Sequence, residues 1–303
     1  MVVQIVLTGL ILIPATWFFA RLLRKPGAKH DHTRRWVDFT KVSFGFWNAD
    51  FVPFDSRSYV VGIIAYILNV IANVRRQWGY PREYEAMSYM YPFSTLFYVM
   101  AQVALFLALF NLCHALTQLR TGAVTDESKA HRGGRKAALG VSVLITLLGV
   151  VIFGLYMAYN VMLNSRRFDG RFTYEDFMKI NKMMQAAAYI NMANTGILVI
   201  AAFCIIVYAS KARKEAKDSP VSKAASILRI CSIFWLTTRL WALVEVIVWY
   251  FGAFGDATMY TGIFDFVLSV LPTFLILAML YNLASKEAYG LSRIHYRDTE
   301  VVA

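Results

Sequence analysis

The chain has 303 residues, of which 58% are hydrophobic and only 17% charged, and its formal net charge is +12. Soluble domains average about 25% charged residues, whereas the charged side chains here cluster between long apolar runs. The composition excludes a globular cytosolic enzyme, a disordered chain and a secreted disulfide scaffold, and it predicts an all-α, polytopic membrane protein.

Seven apolar stretches meet the length that a membrane crossing requires. A bilayer core about 30 Å thick needs roughly 20 apolar residues in helical form. The stretches lie near residues 3–23, 58–74, 89–119, 137–163, 184–210, 224–254 and 262–283. Because each run is continuous and does not alternate with a period of two, the pattern predicts helices and not barrel strands. We therefore predict one seven-helix membrane domain over residues 1–283, followed by a tail at 284–303.

An aromatic segment from Val37 to Phe54 separates the first two predicted helices, and tryptophans lie at Trp36 and Trp47. Tryptophan is enriched where the bilayer meets water. The segment is therefore predicted to lie in the cytoplasmic interface, with a re-entrant segment as the alternative.

Basic residues in the loops predict the orientation of the bundle. With an outward N-terminus, the inward segments carry 21 lysines and arginines and the outward loops carry 8. This asymmetry predicts an N-out/C-in bundle, in which the basic loops contact anionic lipid and not nucleic acid. All three cysteines fall within predicted helices and no Asn-x-Ser/Thr sequon occurs. We expect an internal membrane such as the endoplasmic reticulum, with the plasma membrane as the alternative.

Polar side chains recur at helical spacing in the outer halves of six predicted helices. Such groups are costly in a bilayer unless they face the interior of the bundle. They are Asn69 and Asn73; Ser94, Tyr98 and Gln102; Tyr156, Asn160 and Asn164; Asn191, Asn194 and Thr195; Glu245; and Asp265. The stripes predict a polar-lined site open to the non-cytoplasmic side, with interhelical hydrogen bonding as the alternative for any single asparagine.

Two acidic residues lie well inside the last two apolar runs. Glu245 shares a helix face with Trp241 and Trp249, four residues to either side, and this apolar setting favours the protonated carboxyl. Asp265 lies near the outer end of the seventh helix, where the two acids are expected to share a proton or to divide the roles of acid and stabiliser. A structural ion pair between Asp265 and Arg239 is the alternative.

The last two predicted helices read TTRLWALVEVIVWYFGAF and YTGIFDFVLSVLPTFLILAMLYN. They resemble the corresponding pair in the fungal lipid-translocating exporters, where an arginine–aromatic–glutamate helix precedes an aromatic–Phe–Asp helix. The resemblance rests on Arg239, Glu245, Phe264, Asp265 and Pro272. It implies a seven-helix membrane protein that binds or moves a lipid-like molecule.

Helix number, chain length, aromatic content and intramembrane acids are also similar to those of the integral-membrane terpene cyclases of fungal meroterpenoid pathways. This similarity implies acid-initiated cyclisation of a prenyl or epoxy-prenyl chain in secondary metabolism, with no metal or other cofactor. Glu245 or Asp265 would donate the proton. The substrate-binding residues would be Trp241, Trp249, Tyr98, Tyr156, Asn160, Asn191, Asn194 and Arg239, with the aromatic faces stabilising the cation. The alternatives are a non-enzymatic exporter of an amphiphile and a receptor-like sensor.

Overall fold

The computed structural model describes residues 2–27, 34–49, 82–121, 129–168, 173–217, 219, 221–251 and 263–285. Within these ranges the chain forms seven helices and no strand. They are α1 (Val2–Leu23), α2 (Arg35–Ala49), α3 (Arg82–Thr121), α4 (Lys129–Phe168), α5 (Tyr174–Glu215), α6 (Ser222–Phe251) and α7 (Ile263–Ser285).

Five of these helices, α3 to α7, are long and apolar enough to cross a membrane. Their apolar spans are Tyr91–Leu119, Arg132–Leu163, Tyr174–Glu215, Ser222–Val248 and Ile263–Ser285. Each overlaps a stretch that the sequence predicts to cross. The predicted helix near 58–74 lies outside the described residues, as does the predicted tail beyond Ser285. The chain is a membrane-embedded, multi-pass protein.

Large apolar side chains cover the outside of the bundle. Val143 and Leu147 of α4, Ile200 and Val207 of α5, and Ile247 of α6 are all exposed. Such a surface is unfavourable in water and is the surface that a lipid-facing helix presents. The helix α3 differs, because 67% of its most apolar window is buried, against 28–39% in the other four spans. The centre of the bundle is therefore α3, which packs against α2, α4, α5 and α6.

The aromatic segment between the first two predicted helices forms α2, which packs inside the bundle and not in the interface. The Ser43 hydroxyl donates to the carbonyl of Ala101 on α3 at 3.0 Å. Trp36 and Trp47 are both buried, and the Trp47 ring stacks on Phe274 of α7. The structure thus differs from the prediction in that both indoles are buried in the protein core.

Several polar side chains of α2 have hydrogen-bond partners, whereas Trp36 Nε1 and both side-chain polar atoms of Asn48 are buried without one among the described residues. The Lys41 ammonium donates to the carbonyl of Lys25 at 2.8 Å and lies 3.6 Å from the Asp38 carboxylate. Thr40 donates to the carbonyl of Trp36 within its own helix. Hydrogen bonding of this kind removes most of the cost of burying a polar group, so a helix of modest hydropathy is stable in the core.

The helices alternate in direction. The first turn of α2 lies beside the ends of α1 and α7, because Lys41 reaches Lys25 and Arg34 donates to the carbonyl of Ala284 at 3.0 Å. The contacts of Ser43 with Ala101 and of Phe46 with Phe97 show that α2 runs antiparallel to α3. Short connections join α3 to α4, α4 to α5 and α5 to α6. Consequently α1, α3, α5 and α7 run in one direction, and α2, α4 and α6 run in the other.

Candidate functional site

A buried arginine on α6 faces α3 inside the bundle. Arg239 is 1% exposed, and its Nη2 donates to the hydroxyl of Tyr98 at 2.8 Å. Its Nε donates to Thr238 Oγ1 at 3.4 Å, and its guanidinium carbon lies 5.4 Å from the centroid of the Tyr98 ring. The structure therefore brings together Tyr98 and Arg239, two of the residues that the sequence predicts to bind substrate.

One turn further along α3, a second polar contact joins the same two helices. The Trp235 indole donates to Gln102 Oε1 at 3.1 Å, and Gln102 is almost wholly buried. The Trp235 ring also stacks on Phe106, with centroids 5.8 Å apart. Gln102 and Trp235 fix the register of α3 against α6, so Arg239 is held at the level of Tyr98.

The charge of Arg239 has no counter-ion among the residues that the structure describes. Its hydrogen bonds go to two neutral hydroxyls, and no described carboxylate lies within salt-bridge distance of it. The ion pair between Asp265 and Arg239, the alternative that the sequence left open, is therefore absent from this part of the chain. An arginine that is buried without an acid inside a membrane protein marks a functional position by default.

Asn194 on α5 approaches the same region. It is 2% exposed, and its Oδ1 is buried without a hydrogen-bond partner in the described residues. The rings of Phe110 and Tyr208 are in contact, 6.0 Å apart, and set the register of the parallel helices α3 and α5. Asn194 precedes Tyr208 on α5 by two residues more than Tyr98 precedes Phe110 on α3, so it lies about 3 Å beyond the level of Tyr98 along the helix axis. The interval from Asn194 to Tyr208 is close to four whole turns, so Asn194 points within roughly 40° of the direction of Tyr208. From this count we infer that the amide faces α3, near the level of Tyr98.

The two acids lie on α6 and α7, and both are partly buried. The Trp241 ring contacts Phe264, with centroids 6.0 Å apart, so Asp265 is close to the level of Trp241. Glu245 follows Trp241 by four residues, which is about 6 Å along the helix. The acids are therefore offset by about one turn along the bundle.

Asp265 directly precedes a change in the helical winding of α7. Residues Phe266–Val270 form a π-helical segment, and the α-helix resumes over Leu271–Ser285. Such segments hold one extra residue in a turn and occur frequently at functional sites. The Nε1 of the neighbouring Trp241 is buried without a hydrogen-bond partner among the described residues.

The remaining predicted residues lie elsewhere or are only partly described. Tyr156 is buried in a small cluster with Ile152 and Ala187, and its ring meets that of Tyr91 edge-on at 5.4 Å. This cluster joins α4 to α3 and α5, and Tyr156 makes no contact with Tyr98 or Arg239 among the described interactions. Three further residues complete the set: Asn160 is buried, Asn191 is partly buried, and the side chain of Trp249 lies outside the described residues.

Trp235 and Gln102 form a polar contact between α3 and α6. Neither was predicted as a site residue. Trp235 was missed because a tryptophan in an apolar run carries no sign of its hydrogen bond. Gln102 was noted in the α3 stripe, and its spacing of four residues from Tyr98 is the signal that places both on one face. The stripe that contains Tyr98 and Gln102 was therefore the sequence pattern that pointed to the contact between α3 and α6.

No protein-family model matches this chain, and neither does any curated protein or solved structure.

Proposed function

We propose that the chain is an integral-membrane enzyme that initiates cyclisation of a prenyl or epoxy-prenyl chain by protonation, without a cofactor. The observation that supports this proposal most directly is the contact between Trp241 and Phe264. It joins the two acid-bearing helices and sets aromatic rings beside Asp265. Aromatic faces stabilise developing positive charge, and a water-excluding interior protects a cation from capture.

In the proposed step, the carboxylic acid of Glu245 or Asp265 transfers its proton to the epoxide oxygen. A carbon–oxygen bond of the epoxide then breaks while the electron pair of an alkene forms the new carbon–carbon bond. The resulting carbocation loses a proton to a nearby base, so no oxidant or reductant is consumed. Trp241 follows Arg239 by two residues and thus points to roughly the opposite side of α6, which keeps the guanidinium charge away from the cation.

The first prediction tests the two acids. Glu245→Gln and Asp265→Asn should each reduce product formation by at least about 100-fold, because removing a general acid typically costs 10²–10⁴ in rate. Turnover is measured in microsomes supplied with a prenylated epoxide. The matched control is Glu215→Gln at the inner end of α5, which should leave turnover unchanged. Full activity in both variants would contradict the cyclase proposal.

Binding and export of an amphiphile, or sensing of one, is the second candidate function. The buried charge of Arg239 favours it, because a fixed cation in the core suits an acidic or polar ligand better than a carbocation. Cells that lack the chain should then become more sensitive to an added amphiphile. Unchanged sensitivity would count against export.

For the topology we propose seven crossings, N-out/C-in, with the second crossing near residues 58–74. The inward segments 21–57, 120–136, 211–223 and 284–303 then hold 8, 5, 5 and 3 basic residues, and the three outward loops hold 8. The inward segments therefore carry more basic residues than the outward ones. Our proposed location remains the endoplasmic reticulum, with a hydrophobic small molecule as the partner.

A further inference from the structure

The layer formed by Tyr98, Asn194 and Arg239 has an unbalanced set of polar groups. The guanidinium of Arg239 carries five N–H donors, and the structure gives it two hydrogen bonds, both to neutral hydroxyls. Asn194 contributes a buried oxygen that has no donor within the described residues. Among the described residues, the layer therefore combines a positive charge that has no counter-ion with an acceptor that has no donor.

Arg239 lies deep in the membrane-spanning part of α6. The span is Ser222–Val248, so Arg239 is nine residues, or about 13 Å, from its outer end. An isolated charge at such a depth is costly, and natural proteins pair it or place it on a ligand pathway. No ion pair joins Arg239 to Glu245 or Asp265 in the described part of the chain. Glu245 lies six residues further along α6, about 120° around the helix.

We propose that this layer binds the acidic head group of an amphiphile, namely a carboxylate or phosphate that also carries a neighbouring hydroxyl. The planar guanidinium binds carboxylate and phosphate oxygens in the same bidentate geometry. The hydroxyl donates to Asn194 Oδ1, and the apolar body of the ligand lies among the apolar helices. This inference rests on the second candidate function, binding of an amphiphile, and it adds the chemistry of the polar end of that ligand.

The test measures binding and not turnover, so its result is separate from that of the cyclase experiment. The full chain in nanodiscs is titrated with cis-parinaric acid and with its methyl ester, and fluorescence reports the affinity of each. The wild-type chain should bind the acid at least about 10-fold more tightly than the ester, since hydrogen bonds to charged groups are stronger than those between neutral groups. Equal affinities in the wild-type chain would overturn the proposal without any variant.

Substitutions then test which residue causes the preference for the acid over the ester. Arg239→Gln should abolish the preference for acid over ester, whereas Arg239→Lys should keep part of it. The matched control is Arg229→Gln, the same change ten residues earlier on α6, which should leave the preference intact. Thermal unfolding shows whether each variant is folded. A folded Arg239→Gln chain that still prefers the acid would overturn the assignment.

Competition experiments identify the head group. Dodecyl phosphate below its micellar concentration should displace parinarate, whereas dodecyltrimethylammonium, with the same chain and the opposite charge, should not. Displacement by 2-hydroxypalmitate should be stronger than by palmitate in the wild-type chain, and Asn194→Ala should remove that difference. Displacement by both dodecyl compounds alike, or a hydroxyl preference that survives Asn194→Ala, would contradict the proposal.

Discussion

At the scale of single residues, Gly149 sets how closely α3 and α4 approach. A Cβ added at this glycine would lie 2.8 Å from Val99 Cγ1 and 3.4 Å from Val99 Cβ. Val99 is buried, and as a β-branched residue it has few alternative rotamers. The contact therefore has room for the hydrogen of a glycine at position 149 but not for a methyl group.

Gly149→Ala should destabilise the protein by about 1–3 kcal/mol, the usual cost of overpacking a core. Gly154→Ala, one to two turns further along the same helix, meets nothing within 4 Å. That change should be neutral or stabilise by up to about 1 kcal/mol, because alanine favours a helix more than glycine does. Thermal unfolding in detergent compares the two variants.

A second substitution checks the cause. Val99→Ala removes the methyl groups that the new Cβ would meet, so the double variant Val99→Ala/Gly149→Ala should lose less stability than the two single changes added together. Strict additivity would show that the loss in Gly149→Ala has another origin.

At the scale of elements, the long apolar helices are predictable from sequence and α2 is not. The spans of α3 to α7 follow from hydropathy alone. In contrast, α2 carries Asp38 and Lys41, and these charges suggest a surface helix until their partners are known. The Lys41 ammonium donates a hydrogen bond to the carbonyl of Lys25, sixteen residues away. Such a contact is a property of the folded bundle and not of the local sequence.

The position of α2 predicts a specific crosslink. In a chain without its native cysteines, Phe46→Cys and Phe97→Cys should be joined by a short bifunctional thiosulfonate in native membranes, because the two rings are 5.9 Å apart. The band shift is read on a denaturing gel.

Asn48→Cys with Phe97→Cys is the control for this crosslink. Position 48 lies two residues beyond 46, roughly 160° around the helix, so this pair should crosslink far less. Equal yields from both pairs, or none from either, would favour α2 lying on the membrane surface.

At the scale of the whole molecule, the sequence predicts the polar stripes but not which of them meet. The residues of the contact between Tyr98 and Arg239 are 141 positions apart, and the contact depends on the rotation of α3 against α6. Tyr156 belongs to an equally clear stripe, yet it packs against Tyr91 of α3 and Ala187 of α5. Helix periodicity predicts which residues share one face of a helix. Packing across the bundle decides which faces of different helices meet.

The alternating direction of the helices predicts which ends share a side of the membrane. In the proposed N-out orientation, Tyr174, which is 77% exposed, begins α5 on the outward side, and Lys217 follows α5 on the inward side. In sealed microsomes with the cytoplasmic face outward, an impermeant maleimide should label Lys217→Cys at once and Tyr174→Cys only after permeabilisation.

The native cysteines are replaced by serine for this experiment, so that only the introduced thiol reacts. The reverse labelling order would overturn the N-out orientation. Immediate labelling at both positions would show that α5 does not cross the membrane.

The π-helical segment Phe266–Val270 makes the register of α7 adjustable by one residue. Deleting a residue there would let the chain return to regular α-helical winding without breaking the helix. Asp265 would then rotate by about 100° relative to Phe274 and the rest of Leu271–Ser285. A single-codon deletion would therefore change the orientation of this acid while the packing of Leu271–Ser285 against α1 and α2 stays unchanged.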